Sequence, residues 1–104
     1  RDFIYVEDVA NVTLDIFVKN YQSGIFNLGT GEATTFNKVA NIIIENLKYK
    51  NEIKIEYIDF PDNLLKGYQS YTKANLSNFI KNGLSYKFYN IEEGINSYLE
   101  VLKK

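Results

Sequence analysis

Arg1 and Tyr68 are the two residues of this chain that stand out as candidate ligand contacts, although on the residues alone a surface arginine and a packing tyrosine are the simpler readings. Arg1 is the only arginine, against eleven lysines. A guanidinium presents a rigid fork of donors that fits a phosphate bidentately, which an ammonium cannot reproduce. Tyr68 lies in a polar, irregular stretch that also holds the only proline, Pro61. Binding residues concentrate in such stretches. Composition excludes much other chemistry. There is no histidine and no cysteine, so imidazole bases, thiol nucleophiles, disulfides and thiolate or imidazole metal sites are ruled out. None of the nine tyrosines is followed four residues later by lysine, so a Tyr-x-x-x-Lys proton-exchange pair is missing. The carboxylate pairs have simpler roles. Asp59 and Asp62 flank Pro61 in a loop, and Glu92 and Glu93 fit the first turn of a helix, opposing its dipole.

The glycines offer one more possibility. Gly29 and Gly31 could open a dinucleotide-binding fingerprint, but Thr34 stands where the third glycine belongs. Glu52, near the spacing of an acidic ribose ligand, precedes a predicted strand instead of following one. The sequence therefore favours a plain turn between a strand and a helix at residues 29 to 31.

The elements that must position these residues follow from periodicity. Residues 2 to 6 alternate with both faces apolar, as in a strand covered on both sides. Asp8 stands where a helix N-cap belongs, and Ala10, Leu14, Phe17 and Val18 follow at helical spacing. Ile25 to Leu28 predicts a short strand entering the Gly29–Gly31 turn. Thr34 or Thr35 can cap the next helix, whose stripe is Phe36, Val39, Ala40, Ile43 and Leu47. Ile53, Ile55 and Tyr57 alternate with Lys54 and Glu56, predicting a half-exposed strand. Residues 59 to 71 look irregular. Thr72 can cap a short helix with Leu76 and Ile80 inward, ended by Gly83. Asn90 and Glu93 have capping-box spacing, followed by a stripe of Ile91, Ile95, Tyr98, Leu99 and Leu102. Strands and helices alternating in this order predict an α/β fold, in one domain spanning residues 1–104.

Three stretches then carry a resemblance: RDFIYVEDVA at residues 1–10, GIFNLGTG at 24–31 and FPDNLLKGYQSYTKANL at 60–76. The first two are similar to the C-terminal, substrate-binding part of extended short-chain dehydrogenase/reductases that modify sugar nucleotides. The third resembles the ADP-glyceromannoheptose 6-epimerase family. The resemblance covers essentially the whole chain. It implies interconversion of ADP-D-glycero- and ADP-L-glycero-manno-heptose by inversion at C6″, with tightly bound NADP, in the cytoplasm of a Gram-negative bacterium making lipopolysaccharide core. It implies a homo-oligomeric intact enzyme whose NADP-binding Rossmann domain and catalytic residues lie upstream of Arg1, so that this segment binds ADP-heptose but carries no cofactor site of its own. Arg1 occupies the position of the family arginine that contacts the diphosphate. Tyr68 matches the substrate-contacting tyrosine of a Y-Q-x-F/Y-T motif, here Tyr68 to Thr72. The family pattern places glycine then a basic residue before that tyrosine, whereas here the order is Lys66-Gly67, with Lys66 a possible substitute. The alternatives are another NAD(P)-dependent sugar-nucleotide epimerase or dehydratase, or a free-standing, non-catalytic binding module.

Composition narrows the partners. The formal net charge is −1 over 104 residues, without the basic surplus of a nucleic-acid-binding domain. The longest aliphatic run, Ile42-Ile43-Ile44, is far short of a membrane span. Nucleic acid and membrane are therefore not expected as partners, nor is a metal.

Overall fold

The computed structural model describes residues 1–48 and 50–103. The helices among them are α1 (Val6–Val18), α2 (Phe36–Glu45), α3 (Asp62–Leu65), α4 (Ser77–Lys81) and α5 (Ile91–Leu102), with a 3-10 turn at Lys50–Glu52. No strand occurs among the described residues, which overturns the expected α/β fold. The reason is physical. A strand exists only as a member of a hydrogen-bonded ladder, and the stretches at 2–5, 25–28 and 53–57 have no partner alongside. The nearest approach to a ladder is one exchange of bonds. Arg1 N donates to Thr34 O at 2.8 Å, and Thr34 N donates to Arg1 O at 2.7 Å. It does not propagate. Alternation had marked which residues are apolar, not whether another backbone lies beside them.

Two of the anticipated caps form. Thr35 accepts from Lys38 N and starts α2. Asn90 accepts from the Glu92 and Glu93 amides while Glu93 accepts from Asn90 N, closing the capping box of α5. Gly83 ends α4 with φ +79, a left-handed conformation that glycine adopts without steric cost. Two other caps are corrected. The N-cap of α1 is Tyr5, and Asp8 lies inside the helix. Thr72 caps nothing; its hydroxyl accepts from Asp2 N at 3.3 Å, and α4 begins after Leu76. Residues 59 to 71 also hold one helical turn, α3.

The orientation of α1 differs from the expected one. Leu14, Phe17 and Val18 are 61%, 83% and 76% exposed, while Asp8 and Val12 are buried. Val12 meets Phe79 of α4 and Leu84 in the small core, with Ile16, Tyr21, Phe26, Leu28, Leu76, Tyr86 and Phe88 packed around it. Ile80, expected inward, is 67% exposed, and Phe79 takes its place. Helix α1 is apolar on two faces, so periodicity alone could not say which one the core would claim.

The principal helix–helix contact is α2 against α5. Their apolar sides and residues 3–6 line an open groove of about 530 Å³ bearing Val39, Ile43, Ile95, Leu99 and Leu102. The molecule measures 50 × 39 × 18 Å with a radius of gyration of 16.9 Å, against about 13 Å for a compact domain of roughly this length. Its accessible surface is 8446 Å². A compact monomer of this mass exposes about 6,000 Å². The excess, roughly 2,400 Å², lies in flat, partly apolar faces that the chain does not cover itself. Among the described residues, no helix is long and apolar enough to cross a membrane.

Candidate functional site

Asp2 is the residue on which the site is built. It is the one charged residue in the run Asp2-Phe3-Ile4-Tyr5-Val6, and it is partly buried. A buried carboxylate must find donors, and Asp2 finds four. Its Oδ1 accepts from Thr30 N at 2.9 Å and Thr30 Oγ1 at 2.6 Å. Its Oδ2 accepts from Gly31 N and Ala74 N, both at 2.9 Å. Burial pushes the Asp2 pKa up, but the bonds from the Thr30 hydroxyl and from the Ala74, Thr30 and Gly31 amides outweigh it and hold the carboxyl below its ordinary value. Gly29 is required at this junction. A Cβ there would stand 2.5 Å from Ala74 Cβ and 2.7 Å from Asp2 Oδ2.

These bonds join the segment carrying Arg1 to the end of the segment carrying Tyr68. The two residues named from sequence, 67 positions apart, do meet. The Arg1 guanidinium carbon lies 5.1 Å from the centroid of the Tyr68 ring, within cation–π range. Phe60 packs edge to face with Tyr68 at 4.7 Å between centroids. Tyr68 is 45% exposed, so the pair faces solvent. The guanidinium has no carboxylate partner among the described residues, leaving its charge available to an anion. Lys66 sits at the C-terminal end of α3, exposed, one residue before Gly67 with its φ of +98.

The Gly29–Gly31 turn does not suit a dinucleotide. The Thr30 and Gly31 amides that a pyrophosphate would need are committed to Asp2, and the second strand-like requirement, a sheet behind the turn, is unmet among the described residues. No group of three or more acidic side chains among them could hold a metal ion.

A cavity of about 520 Å³ lies nearby, between the residue 30–34 turn, α4 and the stretch leading into α5. Thr30, Glu32, Thr34, Ser85 and Asn90 give it polar groups, and Phe3 and Phe79 give it apolar walls. Neither Arg1 nor Tyr68 lines it, although Thr34 pairs with the Arg1 backbone. The geometry of Arg1 and Tyr68 makes a better anion site than this cavity, because the cavity holds a carboxylate and no cation.

Asp8 has a second constructive role. Only 2% exposed, it accepts from Tyr86 Oη and Tyr89 N, each at 2.9 Å. It ties α1 to the approach of α5, and its fit to an N-cap pattern concealed this. The signal for Asp2 was present in the sequence: a lone acid in an apolar run. Its partners, 28 to 72 residues away, were not. No protein-family model matches this chain.

Proposed function

We propose that this chain is the sugar-nucleotide-binding segment of an ADP-glyceromannoheptose 6-epimerase acting in the cytoplasm. The observation that supports it is the meeting of Arg1 and Tyr68 at 5.1 Å, since the resemblance assigns to these two residues the diphosphate and substrate contacts. In this reading Arg1 grips the ADP diphosphate through its donor fork, and the Tyr68 ring holds the guanidinium in place while its hydroxyl edge remains open to the ligand. Binding remote from the reacting carbon lowers the barrier by fixing orientation. Proton transfer and NADP binding belong to residues other than these, and the chain alone is expected to be catalytically inactive. The intact enzyme is read as a homo-oligomer.

Titrating the chain with ADP-mannose beside UDP-glucose tests this by amide-resolved NMR. Shifts at residues 1–2 and 66–72 with the ADP-sugar alone are the expected result. Replacing Arg1 by Lys should weaken binding about tenfold, or about 1.4 kcal/mol, because the bidentate geometry is lost while the charge stays. Equal response to both sugars would favour another sugar-nucleotide epimerase or dehydratase. Turnover of ADP-heptose by the chain alone would contradict the assignment of the chemistry elsewhere.

A further inference from the structure

Tyr68 belongs to a segment with few holds on the rest of the molecule. Among the described residues, the hydrogen bond within residues 54–71 is local, from Leu64 N to Pro61 O, and the Phe60–Tyr68 ring contact is also internal to it. A ring contact ties this segment to the body at Tyr68 against Arg1, and no hydrogen bond or ion pair among the described residues joins residues 54–71 to the rest of the molecule. Something must therefore fix the segment at its ends. At its start, Ile53 N donates to Lys50 O, three residues back. At its exit, Thr72 and Ala74 are both fastened to Asp2, through Asp2 N to Thr72 Oγ1 and Ala74 N to Asp2 Oδ2. Asp2 is also the covalent neighbour of Arg1.

We infer that Asp2 is the positioning residue that assembles the Arg1–Tyr68 pair, by fastening the exit of the 54–71 segment beside Arg1. Among the described residues no ion pair or hydrogen bond joins its carboxylate to the guanidinium; it acts by placing the pair. The same carboxylate holds the Thr30 and Gly31 amides, so three segments converge on one side chain, and the 2.5 Å and 2.7 Å approaches to a Cβ at Gly29 leave it no slack. An amide cannot replace it. Asparagine has the same shape, but one of its ends is a donor. That end would face either the two Thr30 donors or the Gly31 and Ala74 amides, and in each case donor meets donor. The inference rests on the proposed function only for the nature of the ligand.

The test reads the pair without a ligand. Aromatic ring currents move the Arg1 δ and ε proton resonances, and Tyr68→Leu supplies the position they take with no ring present. In Asp2→Asn, the Arg1 resonances are expected to move at least halfway to the Tyr68→Leu position, while the Glu92 and Glu93 amides of the α5 cap stay in place. Arg1 resonances unchanged from wild type would overturn the inference, and so would equal movement of the cap amides, which would mean general loosening of the fold. Should Asp2→Asn not fold, Thr30→Val removes the 2.6 Å hydroxyl bond to Asp2, together with the hydroxyl's local bonds to Glu32 O and from Glu32 N, and should move the Arg1 resonances in the same direction; no movement there refutes the inference. Failure of wild type to bind ADP-mannose, with the Asp2→Asn shift observed, would reject the ligand and leave the positioning role standing.

Discussion

Replacing Tyr86 by Phe removes one oxygen and asks what the buried Asp8 is worth. Asp8 is 2% exposed and has two donors, Tyr86 Oη and Tyr89 N, both at 2.9 Å. Phe would fill the same space, so little packing is lost. The contact of the Tyr86 ring with Phe88, 5.0 Å between centroids, would persist. What disappears is the donor to Asp8 Oδ1, together with a longer bond that Tyr86 Oη accepts from the exposed Asn11 side chain at 3.3 Å. A hydrogen bond to a charged group contributes about 1.5–3 kcal/mol, and water reaches a group this buried poorly. The expected loss is about 2 kcal/mol, a fall in melting temperature of about 10 °C for a chain of this size. That is a large share of the total, because domains of this length hold about 5–15 kcal/mol and the small core places this one low in the range. Urea unfolding followed by circular dichroism, with m unchanged, measures it. Tyr98→Phe is the control: Tyr98 is 48% exposed, and its variant should stay within about 0.5 kcal/mol of wild type. A Tyr86→Phe variant equally close to wild type would refute the claim that this bond ties α1 to the α5 approach.

The remaining predictions use the same assay. Gly29→Ala should cost about 3 kcal/mol, because a Cβ there meets Ala74 and Asp2 inside 3 Å; Gly67→Ala has open space and should cost only the backbone strain of φ +98, about 1–2 kcal/mol. Asn90→Ala, which deletes both cap bonds to Glu92 and Glu93, should lose about 1 kcal/mol. The pH profile should have two arms. The lowered Asp2 pKa contributes stability that is present above the ordinary carboxylate value of 3.8 and is lost as pH falls through the lower folded value; Asp2→Asn should abolish that acid arm. For Tyr86, the Asn11 bond lowers the pKa, but burial and the bond and charge of Asp8 raise it further. Its contribution is therefore present below the ordinary value of 10.0 and is lost as pH rises through the folded value, an arm that Tyr86→Phe should remove.

The caps at Thr35 and Asn90 and the stop at Gly83 were legible because each is decided by neighbours within four residues. Asn90 and Glu93 find each other whatever the rest of the chain does. The stripe of α1 was misassigned because both its sides are apolar, and the choice of Val12 over Leu14 and Phe17 depended on where Phe79 and Leu84 arrive. Asp8 and Thr72 were misread for a related reason. Each has a side chain that can cap a helix, and each is instead claimed by a distant group, Asp8 by Tyr86 and Tyr89, Thr72 by Asp2.

By itself, the sequence determined local matters: the caps that start α2 and α5, the stop at Gly83, and the absence of imidazole and thiol chemistry. Tertiary structure alone decided that the 2–5, 25–28 and 53–57 stretches remain without a ladder, since a strand needs a partner that no local pattern encodes. It alone decided that Arg1 and Tyr68 meet. Their meeting depends on one carboxylate gathering donors from positions 30, 31 and 74, and partial burial favours those bonds, because a carboxylate turned away from water needs other donors in its place.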